Sequence, residues 1–180
     1  WIGALFNSVT ARTAGFSTYS LGEFSNAGLL AMIFLMFVGA SPGSTGGGIK
    51  TSTLFALIQG IKTAATNTSG KAFHYSVPHG VFRKASVIAV MGISVIAVGT
   101  FMLCAFEPDI AIRDALFEMT SAFGTVGLTT GITTGLCTAS KLTSIVMMYI
   151  GRLGPLTIAT LWYFTNGDRI KYPDGNIAIG

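Results

Sequence analysis

An uncharged run of 21 residues, 86–106, lies between charged residues at both ends, and this run most limits what the chain can fold into. Arg83 and Lys84 precede it, and Glu107 and Asp109 follow it. An apolar helix of about 20 residues crosses the hydrocarbon core of a bilayer, and charged residues commonly flank such a helix. The run therefore predicts a membrane-spanning helix.

The composition also indicates a membrane protein. Hydrophobic residues make up 51% of the 180 residues and charged residues only 10%, which is little polar surface for a soluble domain. The net charge is +4, but the basic residues form no stripe with interleaved aromatic residues, so nucleic-acid binding is disfavoured. Residues 62–84 are basic without any Asp or Glu, which is typical of a cytoplasmic loop.

Two short stretches of the chain match each other. Residues 13–18 read Thr-Ala-Gly-Phe-Ser-Thr, and residues 125–130 read Thr-Val-Gly-Leu-Thr-Thr. The match continues upstream, with one extra residue, Gly124, in the second copy. A glycine between hydroxyl residues allows an extended backbone whose carbonyl oxygens replace the water around a cation. We name residues 13–18 and 124–130 the first and second repeat segments and predict that both line a pore.

The residues around the repeat segments predict two similar units. Charged residues make the helix predicted at 109–122 too polar to cross a bilayer, so we expect it to be re-entrant, and a similar pore helix is expected at 1–11. Second helices are predicted at 24–65 and 140–165. The units are then 1–65, which lacks a first spanning helix, and 86–165, with a cytoplasmic loop at 66–85 and a cytoplasmic tail at 166–180.

The long stretch 24–65 contains a segment that must interrupt the helix. We name residues 39–48 the glycine loop, because Pro42 and five glycines disfavour helix there. By helical rise it begins roughly 22 Å along the helix from Phe24, at a depth where irregular backbone must line a cavity or be covered by protein. A competing interpretation is a phosphate-binding loop at 43–51, but Ile49 shifts the required lysine by one position and no strand precedes it.

Arg152 is the costliest residue for a membrane helix, since it lies roughly 16 Å along the helix from Lys141. A buried arginine needs carbonyls, carboxylates or water. We expect the carbonyls of the glycine loop to be its partner, and Glu118 is the alternative. Cys104 and Cys137 have no second Cys or His at ligand spacing, and no nucleophile and base are evident, so a metal site and catalysis are both disfavoured.

Four motifs together, at residues 8–16, 39–52, 121–128 and 151–155, resemble the Trk/Ktr/HKT superfamily of potassium transporters. The resemblance implies an all-α membrane protein with K⁺-channel-like repeats of spanning helix, pore helix and spanning helix, and a broken intramembrane helix. It covers the third and fourth of four such repeats. The implied selectivity filter consists of Thr13, Ala14, Gly15, Phe16, Ser17, Thr125, Val126, Gly127, Leu128 and Thr129. The implied gate consists of Gly39, Ala40, Ser41, Pro42, Gly43, Ser44, Thr45, Gly46, Gly47 and Gly48, with Arg152 as its partner.

The same resemblance carries expectations about ion, partners and location. K⁺ is the expected transported ion, with no organic cofactor, and the location is a bacterial plasma membrane that the chain crosses several times. Because a selectivity ring needs about four segments, repeats one and two are expected from a preceding half of the protein. The bacterial Ktr branch implies a homodimer on cytosolic nucleotide-binding regulatory subunits of the KtrA type. A non-conducting membrane scaffold and a phosphate-binding membrane enzyme stay as alternatives, and the preference between K⁺ and Na⁺ stays open.

Overall fold

The computed structural model describes residues 1–66, 71–72, 75–76, 79–154 and 157. Its regular secondary structure is helical apart from two short strands that form an antiparallel pair. The helices are α1 (Ile2–Thr10), α2 (Asn26–Phe37), α3 (Thr51–Thr66), α4 (His79–Phe106), α5 (Ile112–Gly124) and α6 (Thr138–Leu153). The strands are β1 (Lys71–Ala72) and β2 (Tyr75–Ser76), and 3₁₀ turns occupy Leu21–Glu23 and Thr133–Gly135.

Helix α4 contains the uncharged run. Among the described helices it alone is long and apolar enough to cross a membrane, judged by length and composition over Gly80–Phe106. Most of that window is exposed, including Val90, Val98 and Phe101. The helix starts earlier than the predicted 86, because Arg83 and Lys84 continue it. Their long aliphatic stems suit the end of a membrane helix, since the charged groups can reach the interface.

Helix α5 is the centre of the fold and packs against α2, α4 and α6. Its buried side chains divide between two clusters: Phe117 packs with residues of α2, and Met119 and Phe123 pack with residues of α4 and α6. The rings of Phe37 and Phe123 stack with centroids 6.2 Å apart. The helix was predicted at 109–122 but begins at Ile112, because Pro108 and Asp109 lie in a turn, and it includes Gly124.

Helices α2 and α3 lie on either side of the glycine loop. The hydroxyl oxygen of Ser25 caps α2 by accepting a hydrogen bond from the backbone N–H of Gly28 at 3.2 Å. Helix α2 ends at Phe37 and α3 begins at Thr51. Helix α3 packs against α4. The predicted stretch 24–65 therefore contains two separate helices and a non-helical connection.

Helix α6 begins where the end of α4 meets it. The Glu107 carboxylate accepts a hydrogen bond from the backbone N–H of Cys137 at 2.6 Å, and this bond lowers the pKa of the Glu107 carboxyl group below its ordinary value. The helix predicted at 140–165 is described from Thr138 to Leu153. The remainder of that prediction, the tail at 166–180 and much of the basic loop lie outside the described residues.

Candidate functional site

The two repeat segments are in direct contact. A Cβ atom added to Gly15 would lie 2.1 Å from the carbonyl oxygen of Val126 and 3.7 Å from the Cα atom of Gly127. No side chain fits in that space, and Gly15 also has a φ of 74°, in the left-handed region that favours glycine. The structure therefore brings together two segments whose glycines are 112 positions apart in the chain.

Both segments have left-handed residues at matching positions. Thr13 has a φ of 85° and Thr125 a φ of 53°, and two residues later Gly15 and Gly127 have φ values of 74° and 90°. Positive φ is a genuine outlier for a β-branched residue such as threonine. The similarity between the two segments thus extends from sequence to backbone conformation.

Each segment is held in place by the surrounding protein. In the first, the backbone N–H groups of Ala14 and Gly15 donate to the carbonyl oxygen of Thr10 at 3.1 and 3.2 Å. The Thr10 hydroxyl donates to the carbonyl oxygen of Phe16 at 2.6 Å. In the second, Val126 and Leu128 are buried in the core while Gly127 and Thr129 are exposed. Alternate residues of the second segment are thereby anchored in the protein.

Glu118 is a buried carboxylate beside the second repeat segment. The hydroxyl groups of Thr129 and Thr133 both donate to its Oε1 atom, the latter at 3.0 Å. The side chain also lines a cavity of about 380 Å³ together with Gly127 and Ser144. Sequence reasoning considered Glu118 only as a partner for Arg152. The signal it missed is that the helix before the second segment carries a carboxylate about two turns before that segment begins.

The two ends of the glycine loop are hydrogen-bonded to each other at its base. The Gly39 N–H donates to the Ile49 carbonyl at 2.8 Å, and the Ile49 N–H donates to the Phe37 carbonyl at 3.1 Å. Gly39 lies so close to Gly47 that an added Cβ would be 2.0 Å from the Gly47 carbonyl oxygen. Residues 46–48 are buried and residues 41–45 are exposed, so one side of the loop rests on the protein.

The loop rests on the repeat segments. The backbone N–H of Gly47 donates to the hydroxyl oxygen of Thr125 at 2.9 Å. A Cβ atom on Gly46 would lie 2.8 Å from the methyl carbon of Thr13. The predicted gate residues and the predicted filter residues therefore form one continuous cluster in this structure.

Lys50 is a contact that sequence reasoning missed. Its ammonium group donates to the carbonyl oxygens of Gly46 at 2.5 Å and Ser44 at 3.3 Å. These hydrogen bonds join the first residue after the loop's base to one residue of the loop's buried side, Gly46, and one of its exposed side, Ser44. The available signal was a lysine four residues after Gly46, within reach of carbonyls that a helix would have satisfied.

Arg152 does not bond to the glycine loop in the described part of the chain. Its side chain is exposed, and within the described part of the chain it makes no hydrogen bond or ion pair. The expected hydrogen bonds to the loop carbonyls are not among those of the described residues, and Lys50 donates to two of these carbonyls. The neighbouring Gly151 does reach the site, since a Cβ there would be 1.8 Å from the Phe123 carbonyl oxygen.

The described part of the chain is a helical fold with one helix long and apolar enough to cross a membrane, and comparison with known sequences identifies its family. The family model described as TrkH, cation transport protein, matches residues 1–170. The chain therefore belongs to this family, which confirms the resemblance to the Trk/Ktr transporters. Members of the family are integral proteins of the plasma membrane, and the family is one of transporters and not of enzymes.

Individual relatives agree with the family match. The chain is 36% identical over 176 residues to the Ktr system potassium uptake protein B of Bacillus subtilis, covering 97% of this chain and 39% of the relative. It is 38% identical over 181 residues to the protein of that name from Vibrio alginolyticus, covering 100% and 40%. The chain thus spans about two fifths of the length of these relatives.

A solved structure shows the same fold. The crystal structure of the potassium transporter TrkH from Vibrio parahaemolyticus superposes with a TM-score of 0.73 at 23% identity. The superposition covers 90% of this chain and 37% of that chain. The helical arrangement described above is therefore a known membrane-transporter fold.

Proposed function

We propose that this chain supplies two pore-lining repeats of a protein that takes up K⁺ across the plasma membrane. Each repeat consists of a pore helix, a repeat segment and a second membrane helix, and α4 is the first spanning helix of the later repeat. The observation that carries the proposal is the contact between Gly15 and the Val126 carbonyl, made by two segments with matching left-handed residues. Equivalent segments held side by side could both present carbonyl oxygens to one ion pathway.

Potassium coordination is assigned to residues 13–17 and 125–129. Their backbone carbonyls take the place of water around the ion, as in other filters that select K⁺. Glycine at the centre of each segment permits the φ values of 74° and 90° that such a backbone needs. The potassium uptake named for both relatives supports K⁺ as the ion.

The glycine loop is proposed as the gate, within a membrane helix that is broken between α2 and α3. It lies against Thr13 and Thr125, which begin the two assigned filter stretches, and a plug at this position would block the ion path. Lys50 holds the loop through the carbonyls of Ser44 and Gly46. We assign Arg152 to the same gate as a second positive charge near the path, beside the point where Gly151 meets the end of α5.

The proposed assembly is larger than this chain. A ring of about four segments surrounds an ion in a filter of this type, and the relatives are about two and a half times as long as the matched region. We therefore assign two further repeats to the rest of the protein. The likeness to the Ktr branch adds a homodimer and cytosolic nucleotide-binding regulatory subunits.

Rubidium uptake tests the proposed function. The full-length protein, produced in a bacterium that lacks its own potassium uptake, should take up Rb⁺ in competition with K⁺. Competition by Na⁺ in the same assay gives the ion preference. Protein that reaches the membrane without any Rb⁺ uptake would instead support a non-conducting scaffold. Nucleotide binding by purified protein without a regulatory subunit would support a phosphate-binding loop at residues 43–51.

A further inference from the structure

The glycine loop contacts both repeat segments, and it does so at the same position of each. A Cβ atom on Gly46 would be 2.8 Å from the methyl carbon of Thr13. A Cβ atom on Gly47 would be 2.9 Å from the methyl carbon of Thr125 and 3.0 Å from its hydroxyl oxygen. Two consecutive glycines of the loop therefore lie against two threonines that correspond in the repeat.

These two threonines have a backbone conformation that needs support. Their φ values of 85° and 53° are strained for a β-branched residue, and such strain persists only where the surrounding structure enforces it. Part of that surrounding structure comes from far along the chain, since the hydrogen bond from the Gly47 N–H to the Thr125 hydroxyl joins residues 78 positions apart. Because Gly46 and Gly47 are buried, the contact is close-packed.

Withdrawal of the loop would remove this support from both segments together. Thr125 would lose the N–H that its hydroxyl accepts, and both threonine methyl groups would lose their packing partner. Resting on the proposed function, we propose that the glycine loop is part of the selectivity filter as well as its gate. Its buried glycines, Gly46 and Gly47, hold Thr13 and Thr125 in place, so that loss of these two contacts lowers the preference for K⁺ over Na⁺.

Thr125 is then a positioning residue for the filter. This role can be tested by removing its hydroxyl group alone. In the full-length protein, Thr125→Val should lower the preference for K⁺ over Na⁺ by about three- to tenfold, the worth of roughly one hydrogen bond, and should raise Rb⁺ uptake. Thr125→Ser keeps the acceptor and should recover the greater part of the preference. Thr134→Val removes the hydroxyl of an exposed threonine away from the loop and should match the wild type.

A double-mutant cycle separates the loop from the filter. If Thr125 acts through the loop, Thr125→Val should cause no further loss of preference in a protein that lacks residues 43–47. Should Thr125→Val fail to fold, Gly47→Ala provides the same test, because its Cβ would lie 2.8 Å from the Phe123 carbonyl oxygen and would push the loop away.

The outcomes separate this inference from the proposed function. Equal losses in the two backgrounds, or an unchanged ion preference in Thr125→Val and Gly47→Ala, would overturn the coupling while leaving potassium uptake intact. A wild-type protein that takes up no Rb⁺ would overturn the proposed function, and the coupling with it.

Discussion

Gly15 and Gly127 correspond in the repeat but have different surroundings. Both have positive φ, yet an added Cβ at Gly15 would collide with the Val126 carbonyl, whereas one at Gly127 would have no atom within 4 Å. The same substitution therefore tests two different things. At Gly127 it tests backbone conformation alone, and at Gly15 it also tests the contact between segments.

We expect Gly127→Ser to weaken the preference for K⁺ and to lower the free energy of unfolding by about 1–3 kcal/mol, the usual strain of a left-handed residue with a side chain. Gly15→Ser should lower both the preference for K⁺ and the free energy of unfolding further. Ion competition during Rb⁺ uptake and thermal unfolding in detergent measure the two effects. Gly135→Ser is the control, since it has open space and no positive φ. Competition curves like the wild type for both filter variants would refute the filter assignment.

Lys50 offers a second test at the level of one side chain. Removing its ammonium group in Lys50→Met deletes two charge-assisted hydrogen bonds to the loop. If they hold the loop closed, Rb⁺ uptake should rise by roughly three- to tenfold. Lys62→Met removes an exposed lysine of the next helix and is the matched control. Equal uptake by the two variants would show that other contacts hold the loop.

The packing of α6 against α5 includes one close approach between their backbones. Gly151 of α6 faces the carbonyl oxygen of Phe123 near the end of α5, with no room for a Cβ atom. Gly99 of α4 faces α6 in a similar way, but its neighbour is the flexible side chain of Met147. A backbone carbonyl cannot move aside as a methionine can, so the two glycines differ in what they tolerate.

Gly151→Ala should therefore separate α6 from α5 and destabilise the protein by about 1–3 kcal/mol. Gly99→Ala should stay within about 1 kcal/mol of the wild type, because Met147 can adjust and alanine favours helix. Thermal unfolding of the two variants in one detergent makes the comparison. Equal losses of stability would mean that the Phe123 contact is no tighter than the Met147 contact.

The local features of these elements could be predicted from the sequence better than the contacts between them. The helical class and the family could be predicted, because the uncharged run and the repeated glycine motif are local patterns. The starts of α4 and α5 differed from prediction, since Arg83 and Lys84 can belong to a helix or a loop on local evidence alone. The hydrogen bonds of Lys50 and Glu118 depend on which loop folds back against which side chain, and one sequence does not specify that.

In the whole molecule, three parts of the chain meet at the end of α5. Gly47 of the glycine loop and Gly151 of α6 both approach the Phe123 carbonyl oxygen, and Thr125 follows two residues later. Arg152 is adjacent to this junction although its side chain is exposed. Movement of α6 and movement of the loop are therefore expected to affect each other.

A cycle of substitutions tests that link. Removing residues 43–47 should raise uptake and make it less dependent on any regulatory subunit. Arg152→Gln should raise uptake too, and Arg152→Lys nearly as much, because lysine lacks the planar fork of arginine. In the shortened-loop protein both changes should have little further effect. Strictly additive effects would assign Arg152 an independent role, such as tuning the charge of the cavity.

The paired backbone at the base of the glycine loop has a mechanical consequence. The hydrogen bonds from Gly39 to Ile49 and from Ile49 to Phe37 fix the ends of the loop to each other. In the proposed gate, the loop can then move as a unit about these two hydrogen bonds while α2 and α3 keep their positions. Opening would need work from only a short stretch of backbone, and the surrounding lipid would not have to rearrange.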